Sequence, residues 1–248
     1  MWITGAGCQE ADGRLEVSVV NTYEMEKPMT TDQLSSDRAG LDATGRIPIA
    51  TRNLLTVAAV TGPAFYAIAV AQMLTREGFD LRVHPISQLS TGGPGWIQVL
   101  NFVLTGIGLL GLAMAARRRL VSGLGHRAIP VLLAIFGFGW IAAGVFPMDP
   151  QKGFPVGAPS GEVEMSWHGI VHSGAAAVAF LGLAVACVVG AIRSLRLREY
   201  ATMIGHAVVG LVLLIPISPT ESSIQIAVTG AVAFGWVTWF ALGLRRHN

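Results

Sequence analysis

Long apolar runs separated by short polar stretches fill this chain from residue 53 to its end. Six runs, 54–74, 96–116, 128–146, 167–192, 200–217 and 223–244, each approach the roughly 20 residues that carry an α-helix across a hydrocarbon core of about 30 Å. Inside lipid the backbone must satisfy its own hydrogen bonds, and runs of this length do so as helices. The pattern predicts an all-α fold, a polytopic bundle of six transmembrane helices, with residues 52–248 as the membrane domain.

Residues 1–51 break the pattern. They are polar and acidic on balance, and stretches such as GRLEVSVVNTY and EKPMTTDQLSSDRAGLDATG sustain no apolar period. A segment of this kind buries too little apolar surface to offset its ordering entropy, so a disordered cytoplasmic tail is expected. It lacks the basic start, short apolar core and small-residue cleavage site of a secretory signal.

Composition agrees with a membrane setting, since 52% of residues are hydrophobic and only 13% are charged. The net charge of +2, without a basic face interleaved with aromatics, gives no reason to expect a nucleic-acid partner. Membrane lipid is the expected surrounding, and a lipid or small molecule the expected substrate class. Cys8 and Cys187 fall in unrelated settings, so neither a disulfide nor a cysteine metal site is expected.

The basic residues are unevenly spread. Arg46 and Arg52 precede the first run, Arg117, Arg118, Arg119 and Arg127 fill the second connection, Arg193, Arg196 and Arg198 the fourth, and Arg245 and Arg246 end the chain. The first, third and fifth connections hold only Arg76, Arg82 and Lys152. Short loops rich in arginine stay in the cytoplasm, which predicts a multi-pass protein of the cell membrane with both termini inside.

That orientation gathers the polar motifs at the outer face. HPISQLSTGGPGWIQ supplies His84, Ser87 and Ser90, FPMDP supplies Asp149, and SWHGIVH supplies His168 and His172. The two helix histidines are four residues apart, roughly 6 Å at 1.5 Å per residue and on one face. His84, His168 and His172 are a candidate zinc-ligand set, with Asp149 as a base or orienting carboxylate and Ser87 as a substrate or oxyanion group. The alternative is a polar network that packs the outer loops without metal. Ser90, ahead of GGPG, reads as turn chemistry, and Pro85 holds His84 extended.

On HPISQLS with GPGWIQVLNF, GVFPMDP with GFPVGAP, and SWHGIVH, taken in that order, the chain resembles the bacterial membrane-protein family known as domain of unknown function 998, over residues 53–244. The resemblance implies an integral membrane protein and brings no activity with it. A more distant similarity, of a face bearing three histidines, an aspartate and serines, is to intramembrane zinc hydrolases, which have seven helices and differently placed motifs.

Two further readings follow from position. Trp96, Trp140, Trp167, Trp236 and Trp239 fall toward the ends of the runs and are expected to anchor at the interfaces, while glycines at 106, 108 and 111 and at 137, 139 and 144 are expected to let helices approach closely. His206 lies too far from His172 in depth to share a haem with it. Taken together the sequence points to an integral membrane protein of unassigned activity, for which the enzymatic reading is a metal-dependent hydrolase of a lipid or lipid-linked substrate at the outer face, with a non-enzymatic sensor or scaffold, or a small-solute transporter, as the alternative. Against transport stand the scarcity of charge at mid-membrane and the lack of an inverted repeat.

Overall fold

The computed structural model describes residues 46–216 and 222–246. Among these, six α-helices form the fold: α1 (Ile49–Thr75), α2 (Gly95–Arg119), α3 (Ala128–Val145), α4 (Trp167–Arg196), α5 (Tyr200–Leu213) and α6 (Ser222–Arg246), with a 3-10 turn, Ile86–Ser90, between α1 and α2. All but α5 are long and apolar enough to cross a membrane. The fold is the polytopic helical bundle that the runs predict.

Helices adjacent in sequence pack antiparallel, and α6 returns to α1, so the six form a closed ring. Small residues set the spacing. A β-carbon at Gly106 of α2 would stand 2.6 Å from the carbonyl oxygen of Gly137 in α3, and one at Gly139 would stand 2.6 Å from Ala179 of α4. Helix packing in lipid relies on such close backbone approach rather than on a hydrophobic drive between helices. The expectation for Gly106, Gly137 and Gly139 is met in these contacts.

An aromatic knot fills the ring between α1, α2, α3 and α6. Phe65 lies 4.8 Å from Trp140, 5.5 Å from Phe102 and 5.5 Å from Phe234 between ring centroids, edge-on or offset as the ring quadrupoles prefer. Trp140 is therefore 7% exposed and Trp236, which donates to His206, is 3% exposed. The expectation that these two anchor at an interface is wrong, because aromatic and imidazole partners claim them first. Trp96, Trp167 and Trp239 do remain exposed on the bundle surface.

Arginines in the last turns of α2, α4 and α6 sit where the helix dipole favours cations. This end is called the arginine face below, and the end bearing His84, Asp149 and His168 the histidine face. The start of α1 and the end of α5 depart from the apolar runs. α1 begins at Ile49 rather than near residue 54 and buries Thr51, which accepts from Arg118 at 3.3 Å. Pro63 is accommodated within a continuous α1. α5 stops at Leu213 rather than reaching 217, consistent with Pro216, whose ring disfavours helix at the residue before it. The expected tail up to residue 45 and the SPTE turn at 218–221 lie outside the described residues.

Candidate functional site

The histidine face is closed by two loops that grip one another. His84 is buried, its Nδ1 accepting from the Asp80 amide at 2.9 Å and its Nε2 donating to the Lys152 carbonyl at 2.9 Å. Nearby, Arg76 donates to the carbonyls of Leu89 at 2.5 Å and Thr91 at 2.6 Å, and its guanidinium lies 4.6 Å from the centre of the Phe154 ring. Phe154 itself is 1% exposed and packs edge-on against Phe79. Burial lowers the Arg76 pKa from its ordinary value, and the two carbonyls and the ring face offset that desolvation. Arg76 and Phe154 thus hold the first loop to the third.

Beneath this lid the α1–α2 seam carries buried amides. Gln98 Oε1 accepts from Gln72 at 2.7 Å and from Asn101 at 3.3 Å, and Asn101 also donates to the Phe65 carbonyl. Ser90, expected in turn chemistry, donates its hydroxyl to the Ser87 carbonyl at 2.7 Å within the 3-10 turn.

Asp149 and His168 belong to the start of α4. Ser166 is the N-cap, its hydroxyl accepting from the Gly169 amide at 3.2 Å, while Asp149 Oδ2 accepts from the Ser166 amide at 2.9 Å. The space at Gly169 where a β-carbon would stand is taken by that same oxygen. A carboxylate here is stabilised by the exposed amides and the dipole of the helix. His168 Nδ1 lies 2.8 Å from the Ser166 hydroxyl, 3.3 Å from the Pro147 carbonyl and 3.8 Å from Asp149 Oδ1. Asp149 thus neighbours His168, while His84 binds elsewhere.

His172, one turn deeper, faces the interior. Its Nδ1 contacts the carbonyls of Ala143 at 2.8 Å and Phe146 at 2.9 Å, two of the acceptors left over at the end of α3. Carbonyls only accept, so Nδ1 carries the proton and Nε2 is the open acceptor of a neutral ring. The ring also borders a cavity of about 80 Å³. Its walls are Phe65, Phe102, Trp140 and Phe180 with small residues of α3 and α4, and its polar lining includes His172, Ser87 and Tyr66. The Tyr66 hydroxyl is already committed to the Ala227 carbonyl at 2.6 Å.

The expected site residues therefore fall into three places. His84 joins the loops, Asp149 and His168 cap α4, and His172 and Ser87 border the cavity. The donor set does not fit zinc, because both ring nitrogens of His84 are engaged by backbone groups and Nδ1 of His172 is directed at carbonyls. No group of three histidine, cysteine or acidic side chains placed to hold a metal ion exists among the described residues. The sequence reading also missed Arg76, Phe154 and the aromatic wall. The one signal for Arg76 was its position, a basic residue on the face otherwise poor in them.

This arrangement, five membrane-length apolar helices with a sixth shorter one around an aromatic cavity, is that of a multi-pass integral membrane protein. The chain belongs to the family described as Protein of unknown function (DUF998), whose model matches residues 59–245. No curated protein and no solved structure matches the chain.

Proposed function

We propose that this protein, in the cell membrane with its histidine face outward and both termini in the cytoplasm, binds part of a lipid-type amphiphile in the cavity beside His172. The carrying observation is the cavity's make-up: aromatic walls with one histidine, one serine and a tyrosine as the polar residues of its lining. A charged solute would lose its hydration there without a counter-charge, whereas an alkyl segment gains about 0.8 kcal/mol per buried methylene. The opening volume is below the roughly 300–1,000 Å³ of sites that enclose a whole drug-sized ligand, so the occupant inserts one part of itself.

The short α5 supports access from the bilayer. Fourteen residues span about 21 Å, some 9 Å less than a hydrocarbon core. Among the described residues the cavity is bordered by α4 and α6 and by none of α5, so entry from the bilayer is proposed between α4 and α6. The outward orientation rests on the arginine asymmetry.

A second reading, hydrolysis without metal, has one observation in its favour. The same cavity is lined by Ser87 and His172, the residue types of a nucleophile and its base. Covalent labelling by a fluorophosphonate that disappears in Ser87→Ala would support it.

Binding is tested by lipid analysis of the purified protein beside an Ala176→Phe variant, in which a ring occupies the half-buried cavity wall. The wild type should retain an amphiphile that the variant, at equal melting temperature, loses. Equal retention by the two proteins would contradict the proposal.

A further inference from the structure

A second and larger cavity, about 400 Å³, opens at the arginine face among the ends of α2, α4 and α6 and the start of α5. Three guanidinium groups, those of Arg119, Arg193 and Arg246, line it against one carboxylate, Glu199. Arg193 is held in place through Nη1, which donates to the Ser122 and Leu124 carbonyls at 2.8 and 2.9 Å.

An independent feature comes from His206, which lines the same cavity and is 4% exposed. The Trp236 indole donates to its Nδ1 at 3.0 Å. An indole N–H can only donate, so Nδ1 is the acceptor and the proton of the neutral ring sits on Nε2. That N–H has no protein acceptor among the described residues, although the ring is clamped by Gly190, Trp239 and Phe240. A donor left over on a buried ring, beside three guanidinium groups of which Arg193 is held in place, is complementary to an anion rich in acceptor oxygens.

We propose that this cavity binds the phosphate-bearing headgroup of an anionic lipid in the leaflet at the arginine face. Guanidinium groups match phosphate oxygens in pairs, His206 offers the further donor, and the half-exposed Trp239 at the wall suits the headgroup level of a bilayer. Basic pockets between helices on this side of a membrane recognise such headgroups. The site shares no lining residue with the cavity at His172, so either can fail alone.

The test places the full chain in nanodiscs containing equal amounts of phosphatidylglycerol and phosphatidylcholine and counts lipids retained on gentle release by native mass spectrometry. Phosphatidylglycerol should be preferred, and Arg246→Gln should reduce that preference by about tenfold, as expected for losing one charge-assisted hydrogen bond to a phosphate oxygen in the cavity. Arg193→Gln should act alike, and because Arg193 also secures the second loop, the exposed Arg246 carries the decision if that variant fails to fold. Arg117→Gln, on the same face but outside the cavity, should change nothing. Equal retention of both lipids, or an equal loss in Arg117→Gln, would overturn the proposal. Thermal stabilisation by inorganic phosphate that depends on Arg246 but comes without a lipid preference would assign the site to free phosphate and overturn it too. So would a preference that emerges only after deletion of residues 1–45, since the acidic segment would then be the occupant.

Discussion

The Nε2 of His84 and the carbonyl of Lys152 meet at 2.9 Å across 68 residues of sequence. With Nδ1 engaged by the Asp80 amide, this imidazole is a two-sided bridge between loops and has no nitrogen left for a metal. His84→Ala should lower stability in detergent by about 1–3 kcal/mol, the cost of orphaning a buried backbone group. Zinc in carefully prepared wild-type protein should be well below one ion per chain and unchanged by His84→Ala or His172→Ala. Stoichiometric zinc that is lost with either histidine would restore the metal-centred reading.

Arg76 and Phe154 fasten the same two loops more strongly. Arg76→Lys should cost about 1–3 kcal/mol, since an ammonium does not reproduce two fixed carbonyl bonds and a planar stack. Phe154→Ala should cost about 3–5 kcal/mol, the usual penalty for emptying a buried aromatic site. Thermal melting checks both, and an Arg76→Lys protein as stable as the wild type would remove Arg76 from its assigned role.

The buried amides between α1 and α2 give a coupled prediction. Gln98→Leu leaves the Gln72 amide without its 2.7 Å acceptor and should destabilise by about 1–3 kcal/mol, while adding Gln72→Leu should recover part of that loss, because removing both partners of a buried pair costs less than removing one. A double variant whose loss equals the sum of the singles would show that the pair is not coupled.

Topology can be read by labelling in a Cys8→Ser background. Gly161→Cys, at an exposed position with open space around it, should react with an impermeant thiol reagent on intact cells, and Ser122→Cys should not. The reverse result would turn the histidine face to the cytoplasm.

The helices were legible because lipid imposes a length and an apolar content that single runs display directly, and the family motifs marked the loops that close one face. What the histidines do was not legible. Their types and spacing fit metal chemistry, but the choice between a ligand and a backbone partner is made by carbonyls of Lys152, Ala143 and Phe146, and a sequence does not display free carbonyls. The cavity was hidden for a related reason: Phe65, Phe102, Trp140 and Phe180 sit on four helices, and each alone reads as ordinary core. The end of α5 was overestimated because apolar residues continue past Leu213 although the helix does not, and the access route depends on that shortfall.

The account turns on the cavity beside His172, and Trp140 in its wall reports on it most directly. Its fluorescence, taken as the difference between the wild type and Trp140→Phe, should be strongly quenched in nanodiscs of lipids brominated along their acyl chains. The quenching should be relieved by Ala176→Phe, which fills the cavity without changing the outer surface near that tryptophan. Trp140 emission that brominated lipid leaves untouched, or that is quenched equally with the cavity filled, would show that no lipid segment enters and would contradict the proposed function.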